Sequence, residues 1–188
     1  MSPKGKRISD GIGHSTHMEQ VIRLYYKENS GKDISEMLNN QSMYVNQEPI
    51  TYRQLNHWEE SGLLPKREGG WRRFGLIEAL WVHIINELRS TFEVRLDGIK
   101  KIMDCLTEGT NKYKVFMPVF EIYVMEAWAR KRQVYLLVFE DKSAIPTDAD
   151  KLSDILKKHK PGHVLILDIN KLIKVLIPKY DWALNPDN

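Results

Sequence analysis

The sequence Ile50-Thr-Tyr-Arg-Gln-Leu-Asn-His-Trp-Glu-Glu-Ser-Gly-Leu-Leu-Pro65 specifies where a helix begins. Thr51 and Gln54 have the spacing of a capping box, in which each side chain satisfies a free backbone N–H of the first turn. Ile50 and Leu55 occupy the two positions of a hydrophobic staple around that cap. These signals predict a helix whose first turn follows Thr51.

The same stretch specifies where the helix ends. Gly62 stands where a left-handed residue commonly terminates a helix, and Leu63 can then contact Trp58 in a Schellman-type stop. Pro65 prevents the helix from continuing. The sequence therefore predicts a helix over residues 51–61 with both ends fixed by local signals.

The two faces of this predicted helix differ in chemistry. Thr51, Leu55 and Trp58 share one side at helical spacing, so that side is expected to pack inward. In the DNA major groove Arg can pair with guanine and Asn with adenine, although most polar helix faces are simply solvated. The opposite side carries Arg53, Asn56, His57 and Glu60.

A basic segment follows the helix over residues 66–74. Gly69-Gly70 supplies the backbone freedom of a two-residue hairpin turn, and the aromatic residues Trp71 and Phe74 suit a short strand. A basic hairpin directly after a polar-faced helix is typical of a wing that contacts DNA phosphates. Four cations flank the turn against the single acid Glu68, namely Lys66, Arg67, Arg72 and Arg73.

Apolar residues at helical spacing predict further helices around these motifs. Residues 18–26 are compatible with a helix or a strand, and Ile34 to about Gln41 with a short helix. A long helix is predicted from Leu76 to Phe92 and a shorter one from Leu96 to Leu106.

Together these features resemble the DNA-binding domain of MerR-type bacterial transcription regulators. In that family the recognition helix typically reads Val-Ser-x-Arg-x-Leu-Arg-Tyr-Tyr/Trp-Glu and is followed by Gly-Leu-Leu/Ile, a pattern that residues 50–65 match in outline. Gly70-Trp71-Arg72-Arg73-Phe74 is similar to the family's wing, Gly-Tyr-Arg-x-Tyr. Residues 95–102 are similar to the start of its fourth helix.

The resemblance implies a winged helix-turn-helix that binds double-stranded promoter DNA as a homodimer and deforms the duplex so that RNA polymerase can engage. Arg53 and its neighbours would enter the major groove, and Arg72 would hold a phosphate from the wing. The predicted DNA-binding residues are Thr51, Tyr52, Arg53, Asn56 and His57 on the helix, with Lys66, Arg67, Trp71, Arg72 and Arg73 on the wing.

The sequence departs from the family pattern at three places. Asn56 stands where the family usually has Arg and His57 where it usually has Tyr, which leaves the base preference open. The stretch from Leu38 to Pro49 is longer than the usual turn. No long heptad-patterned helix, the family's usual dimer seam, follows Leu106, so dimerisation would move to the C-terminal part or be absent. An alternative function therefore stays open: a chromosome-organising, plasmid-partition or recombination accessory protein.

Changes in pattern divide the chain into three parts. Residues 1–17 are predicted to be a flexible tail, residues 18–106 the winged helix-turn-helix domain, and residues 112–188 a small domain for sensing or dimerisation. The last part combines predicted strands with predicted helices, so the expected fold class of the chain is α+β.

In the C-terminal part, Val119–Glu126 and Gln133–Glu140 are predicted to form a β-hairpin with residues 130–132 in its turn. Three elements are predicted to follow it: a helix capped by Thr147 with Asp150 and running to about His159, a buried strand at Val164–Leu167, and a final helix capped by Asp168 or Asn170.

The composition excludes several classes of protein. Hydrophobic residues make up 42% and charged residues 28%, as in ordinary globular proteins, and a net charge of +3 does not by itself demand a nucleic-acid partner. The single cysteine, Cys105, precludes an intrachain disulfide and fits a reduced, cytoplasmic setting. Neither a signal peptide nor an apolar run of membrane-spanning length is expected.

The residues that could carry chemistry form no catalytic constellation. Glu140, Asp141 and Asp168 follow predicted strands, where acidic residues are usually turn or cap residues rather than magnesium ligands. His159 and His163 lack a third metal ligand. We therefore expect no enzyme activity, no catalytic residue, no metal site and no cofactor. By the resemblance, the C-terminal part would sense a small-molecule or protein effector.

Overall fold

The computed structural model describes Tyr25 and residues 29–40, 50–67, 72–107, 115–159 and 162–177. The predicted tail over residues 1–17, residues 18–24 and 26, and the predicted hairpin turn at Gly69-Gly70 with Trp71 lie outside the described residues. The described elements follow one another as α1 (Asn29–Asn39), α2 (Tyr52–Glu60), α3 (Leu76–Ser90), α4 (Leu96–Thr107), α5 (Pro118–Ala129), β1 (Val134–Phe139), β2 (Ala144–Asp148), α6 (Ala149–His159), β3 (Val164–Asp168) and α7 (Ile169–Leu176).

The helices α1 to α4 lie where the sequence predicts them, with small differences at their ends. The helix α1 begins at Asn29 rather than Ile34 and ends at Asn39 rather than near Gln41. The helix α3 ends at Ser90, and Phe92 beyond it is exposed. Apolar spacing therefore locates the middle of each helix better than its termini.

The helix α3 lies at the centre of the helical half of the chain, which contains α1 to α4, and ten of its fifteen residues are buried. The indole Nε1 of Trp81 donates a hydrogen bond to the carbonyl oxygen of Leu63 at 2.9 Å, which fixes the turn after α2 on α3. Gly75, at the start of α3, lies so close to α1 that a Cβ there would be 2.8 Å from the Cα of Asn39. Only glycine permits this approach of the two helices.

The predicted strand over Val119–Glu126 is wrong, because these residues form most of the helix α5. Pro118 is at the first position of α5, where its missing N–H costs nothing. Eight of its twelve residues are buried, on every side of the helix. A helix that is apolar on all sides has no amphipathic stripe in its sequence. The run of β-branched and aromatic residues therefore resembles the sequence of a strand.

The predicted hairpin is therefore replaced by a different sheet. The strand β1 is central and pairs antiparallel with β2 on one side and β3 on the other. Its residue Leu137 lies opposite Ile145 of β2 and Ile166 of β3. The strand β2 was not predicted from the sequence; it contains Pro146 and lies at the edge of the sheet, where a proline is tolerated.

The helix caps of this half also differ in part from the prediction. The cap of α6 is Asp148, whose Oδ1 accepts the Lys151 N–H at 3.0 Å, whereas the predicted cap Thr147 lies within β2. For α7 the first of the two predicted caps is right, since Asp168 Oδ1 accepts the Lys171 N–H at 3.0 Å. Asn170 instead accepts the Val134 N–H at 2.7 Å and so ties α7 to β1.

The helical half and the sheet share one hydrophobic core. A single cluster of buried side chains joins α3, α4 and α5 to one face of the sheet and to α7, and includes Ile84, Ile99, Phe120, Leu136 and Ile173. A smaller cluster on the opposite face of the sheet is covered by α6 and contains Leu137, Phe139 and Ile145. The mixed α+β architecture expected from the sequence is confirmed, and buried side chains of α2 and α3 belong to the same core cluster.

Candidate nucleic-acid interface

The start of α2 has the predicted capping box. The Thr51 hydroxyl accepts a hydrogen bond from the Gln54 backbone N–H at 3.3 Å, and the Thr51 N–H donates to Gln54 Oε1 at 2.8 Å. Both bonds satisfy donors that the helix itself leaves free. The first turn, which would carry Tyr52 and Arg53 to a binding partner, is thus held in place by local bonds.

The end of α2 has the predicted Schellman motif. The Leu63 N–H donates to the Trp58 carbonyl at 2.8 Å and the Gly62 N–H to the Glu59 carbonyl at 3.0 Å. Gly62 has a φ of 69°, in the left-handed region that favours glycine. The chain therefore turns sharply after α2 and returns towards α3.

The two faces of α2 are separated as predicted for Leu55 and Trp58, but the prediction that Thr51 packs inward with them is wrong, because Thr51 precedes the first turn of α2 and is exposed. Leu55 and Trp58 are buried at 1% and 3% exposure, together with Ile50 before the helix. The opposite face is solvent-exposed and contains Tyr52, Arg53, Asn56, His57 and Glu60, while the cap Thr51 is also exposed. A helix that carries hydrogen-bond donors on a protruding face is the form that enters a major groove.

The cations after α2 fall into two classes. Lys66 and Arg73 are exposed at the surface beside α2, whereas Arg67 and Arg72 are partly buried. Trp71 is outside the described residues. The four predicted cations therefore do not form one uniform basic surface.

Arg67 joins this segment to both α2 and α3. Its guanidinium forms an ion pair with Glu78 at the start of α3, donates to the Arg73 carbonyl and lies 5.1 Å from the centroid of the Phe74 ring. Its backbone N–H donates to Glu59 Oε1 at 2.6 Å. A guanidinium with a carboxylate on one side and an aromatic ring on another is well placed to fix a loop.

Among the described residues, the side chain of Arg72 joins the segment to α2. Its Nη2 forms an ion pair with Glu59 and also donates to Asn56 Oδ1 at 2.8 Å. The side chains of Arg72 and Glu59 are only 15% and 12% exposed. The family resemblance implies that Arg72 holds a phosphate; in the described structure its guanidinium faces two side chains of α2.

The carboxylates that hold these arginines were not identified from the sequence. Glu59 and Glu78 are separated from their partners by a turn, and neither has the four-residue spacing that marks an ion pair along one helix. Glu78 does carry one local signal, because it lies three residues after Gly75 and accepts the Gly75 N–H at 3.2 Å. The contacts of Glu59 form only when the chain folds back after α2, so no local sequence pattern predicts them.

A second group missed from the sequence lies between α1 and α5. Glu121 of α5 is fully buried and accepts a hydrogen bond from Asn39 Nδ2 at 2.9 Å. Burial and the neighbouring Glu121 carboxylate both raise the pKa of Tyr25. Beside this group a cavity of about 500 Å³ is lined in part by Glu36, Asn39 and Phe116.

The acidic residues considered as metal ligands have structural contacts. Asp141 Oδ1 accepts the Ser143 N–H at 2.9 Å in the turn between β1 and β2, and Asp168 caps α7. In the described part of the chain no three His, Cys, Asp or Glu side chains gather as a metal site would require. None of the described helices is both long and apolar enough to cross a membrane.

Comparison with known proteins agrees with this geometry. Residues 49–106 match the model of the MerR HTH family of regulatory proteins. No curated protein and no solved structure matches the chain. The matched segment contains α2, the basic segment after it, α3 and α4. Residues 49–106 are therefore similar to the helix-turn-helix segment of MerR family regulatory proteins, which supports a role in DNA binding and transcription regulation.

Proposed function

We propose that this protein is a sequence-specific transcription regulator that places α2 in the major groove of double-stranded DNA. The observation that carries the proposal is the exposed Arg53, Asn56 and His57 face of a helix whose two ends are both capped, inside a segment that matches a DNA-binding family. Both caps hold the helix in one orientation before DNA arrives, which lowers the ordering cost of binding.

The exposed side chains divide into base-reading and backbone-binding groups. Arg53 lies on the protruding face of α2, where its planar guanidinium can pair with a guanine edge. Lys66 and Arg73 lie on the segment beside α2, where they can neutralise phosphates.

The position of α5 bears on how the chain could dimerise. In the described part of the chain, the helix that follows α4 is α5, and most of α5 is buried within the core. This helix cannot also serve as an exposed dimer seam. We propose that a homodimer, if it forms on promoter DNA with RNA polymerase, uses surfaces of the C-terminal part, and that an effector would bind there.

This same observation favours a second candidate. A chain that binds DNA as a monomer would need no palindrome and would suit an accessory role in chromosome organisation, plasmid partition or recombination. The oligomeric state on DNA therefore discriminates between the two candidates.

The decisive experiment is selection of genomic fragments by the purified full-length chain, followed by sequencing. A regulator selects a short motif near promoters, and light scattering of the complex on that motif gives the number of chains bound. Uniform recovery of all fragments would favour the accessory role. Failure to retain any duplex at low salt would refute both candidates.

Two substitutions test the division of roles on α2 and beside it. Arg53→Ala should relax sequence preference at one base pair, by about 1 to 3 kcal/mol of discrimination. Arg73→Ala should weaken binding to all duplexes and reduce the slope of log K against log salt by about 1. Equal losses of sequence preference from the two substitutions would contradict this division.

A further inference from the structure

Asn56 is linked to the segment after α2 through Arg72, and this link bears on which base Asn56 can read. We propose that Arg72 fixes the Asn56 side-chain amide with its N–H donors towards the DNA, so that Asn56 reads guanine rather than adenine. The inference rests on the proposed function, because it assigns a base to one residue of the proposed recognition helix.

The orientation of the amide follows from the chemistry of its neighbour. Arg72 Nη2 lies 2.8 Å from Asn56 Oδ1. A guanidinium carries only donors, whereas the Asn amide carries one acceptor oxygen and one donor nitrogen. Rotating the amide by half a turn would place donor against donor, so only Oδ1 can face Arg72.

Arg72 is itself held in place. It forms an ion pair with Glu59, one turn along α2 from Asn56, and both charged side chains are largely covered. Charge-assisted hydrogen bonds are roughly twice as strong as neutral ones. The guanidinium therefore remains beside Asn56 as a fixed donor, and Arg72 acts as a positioning residue.

The consequence for base recognition comes from the pattern of each base edge. Asn recognises adenine by accepting from N6 with its oxygen while donating to N7 with its nitrogen. In this protein the amide oxygen accepts a hydrogen bond from Arg72, and Asn56 lies on the exposed face of α2. The NH2 group is therefore the part of the amide that remains to contact a base edge. In the major groove guanine presents two acceptors, O6 and N7, whereas adenine and thymine each present one acceptor, N7 or O4, and cytosine presents a donor. Only guanine offers an acceptor to both N–H groups of the amide. The fixed amide therefore complements guanine.

The same geometry distinguishes Arg72 from its neighbour. Arg73 is exposed, whereas the Arg72 side chain is 15% exposed and bonded to α2. Loss of Arg72 should alter which base is preferred, while loss of Arg73 should alter affinity for every sequence. This contrast provides a matched control one residue away.

The test starts from the motif that the full-length chain selects from a random duplex library. Asn56→Ala identifies the base pair in contact with Asn56 as the position where preference flattens. We expect a G·C pair at which adenine in place of guanine weakens wild-type binding about tenfold, the discrimination that one base-edge contact supplies. Replacing that guanine by 7-deazaguanine, which lacks the N7 acceptor, should also weaken wild-type binding but not binding by Asn56→Ala.

The role of Arg72 is tested by releasing the amide without leaving an unpaired charge. In the double variant Arg72→Met/Glu59→Gln, the Gln side chain retains an acceptor for the Arg67 N–H. The guanine preference should fall to near parity with adenine, whereas Arg73→Met should keep it and bind all sequences more weakly. Asn56→Asp, an exposed change that leaves an acceptor-only group, should lose the guanine preference and provides a second test if the double variant does not fold.

The outcomes separate the inference from the proposed function. If no sequence is selected, the proposed function fails and the inference fails with it. If a motif is selected but Asn56→Ala flattens an adenine position, only the inference fails. The inference also fails if the folded double variant or Asn56→Asp keeps the guanine preference.

Discussion

Replacing Gly75 by Ala should destabilise the protein by forcing α1 away from α3. The added Cβ would lie 2.8 Å from the Cα of Asn39 and 2.9 Å from its carbonyl carbon and oxygen. These are backbone atoms, so no side-chain rotation relieves the contact. Asn39 is also restrained from the other side by its bond to the fully buried Glu121. Backbone movement is therefore the only relief.

The magnitude combines two opposing effects. Overpacking of this kind costs about 1 to 3 kcal/mol. Gly75 has a φ of −73°, which alanine adopts without strain. Alanine also lowers the conformational entropy of the unfolded chain, which stabilises the folded protein by about 0.4 to 1 kcal/mol. The free energy of unfolding should fall by about 1 to 2 kcal/mol, measured by urea denaturation with an unchanged slope.

The location of the effect distinguishes this explanation from general destabilisation. Hydrogen exchange should show faster exchange in α1 and at the start of α3, with the sheet less affected. Gly62→Ala is the matched control, because nothing lies within 4 Å of a Cβ there and the cost arises from its φ of 69° alone. A Gly75→Ala protein as stable as the wild type, or one in which α1 keeps its protection, would show that the close approach is not a constraint.

Two further predictions concern a helix cap and a buried phenol. Thr51→Ala removes the hydroxyl that accepts the Gln54 N–H, so the free energy of unfolding should fall by about 1 kcal/mol in denaturant titration. Thr91→Ala changes an exposed residue at the C-cap of α3, where the cap bond is made by the backbone N–H to the Glu87 carbonyl and is kept on substitution, so it should change the free energy of unfolding by less than about 0.5 kcal/mol. Equal effects of the two substitutions would refute the capping role of Thr51. Burial, followed by the nearby carboxylates of Asp148 and Glu126, raises the pKa of Tyr123 to about 12 from 10.0. The folded state thus holds this proton more tightly than the unfolded state, and the stability it contributes is present below pH 10 and lost as the pH rises towards 12. Tyr123→Phe should reduce that loss, and an ultraviolet absorbance titration in which every tyrosine of the native protein ionises near pH 10 would contradict the shift.

The contrast between α2 and α5 shows which parts of this fold are predictable from sequence. The ends of α2 are determined by residues close to them in sequence, because Thr51 bonds to Gln54 at the start and Gly62 adopts the left-handed conformation at the end. The helix α5 has no such pattern, because its burial comes from elements distant in sequence that surround it on all sides. Local bonds can be inferred from local sequence, whereas complete burial is a property of the assembled core.

The same distinction applies to the candidate interface. The exposed face of α2 follows from helical spacing, so Arg53, Asn56 and His57 were placed correctly on the surface. The difference between Arg72 and Arg73 does not follow from sequence, because both look like equivalent cations of a basic hairpin. Only the return of the chain after Gly62 brings Glu59 against one of them and leaves the other at the surface.

The acids at the base of this segment have a physical consequence for binding. Glu59 contacts both Arg67 and Arg72, and Glu78 pairs with Arg67, so α2, the basic segment and α3 are joined before any partner is present. An arginine that is paired with a carboxylate is not available to neutralise a DNA phosphate. The pairing therefore lowers the part of the affinity for DNA that arises from charge alone. In exchange, the helix and the segment beside it are fixed relative to each other, which reduces the ordering cost at each contact. Such an interface has a lower affinity for DNA of any sequence but discriminates better between sequences. A sequence-specific regulator requires this discrimination.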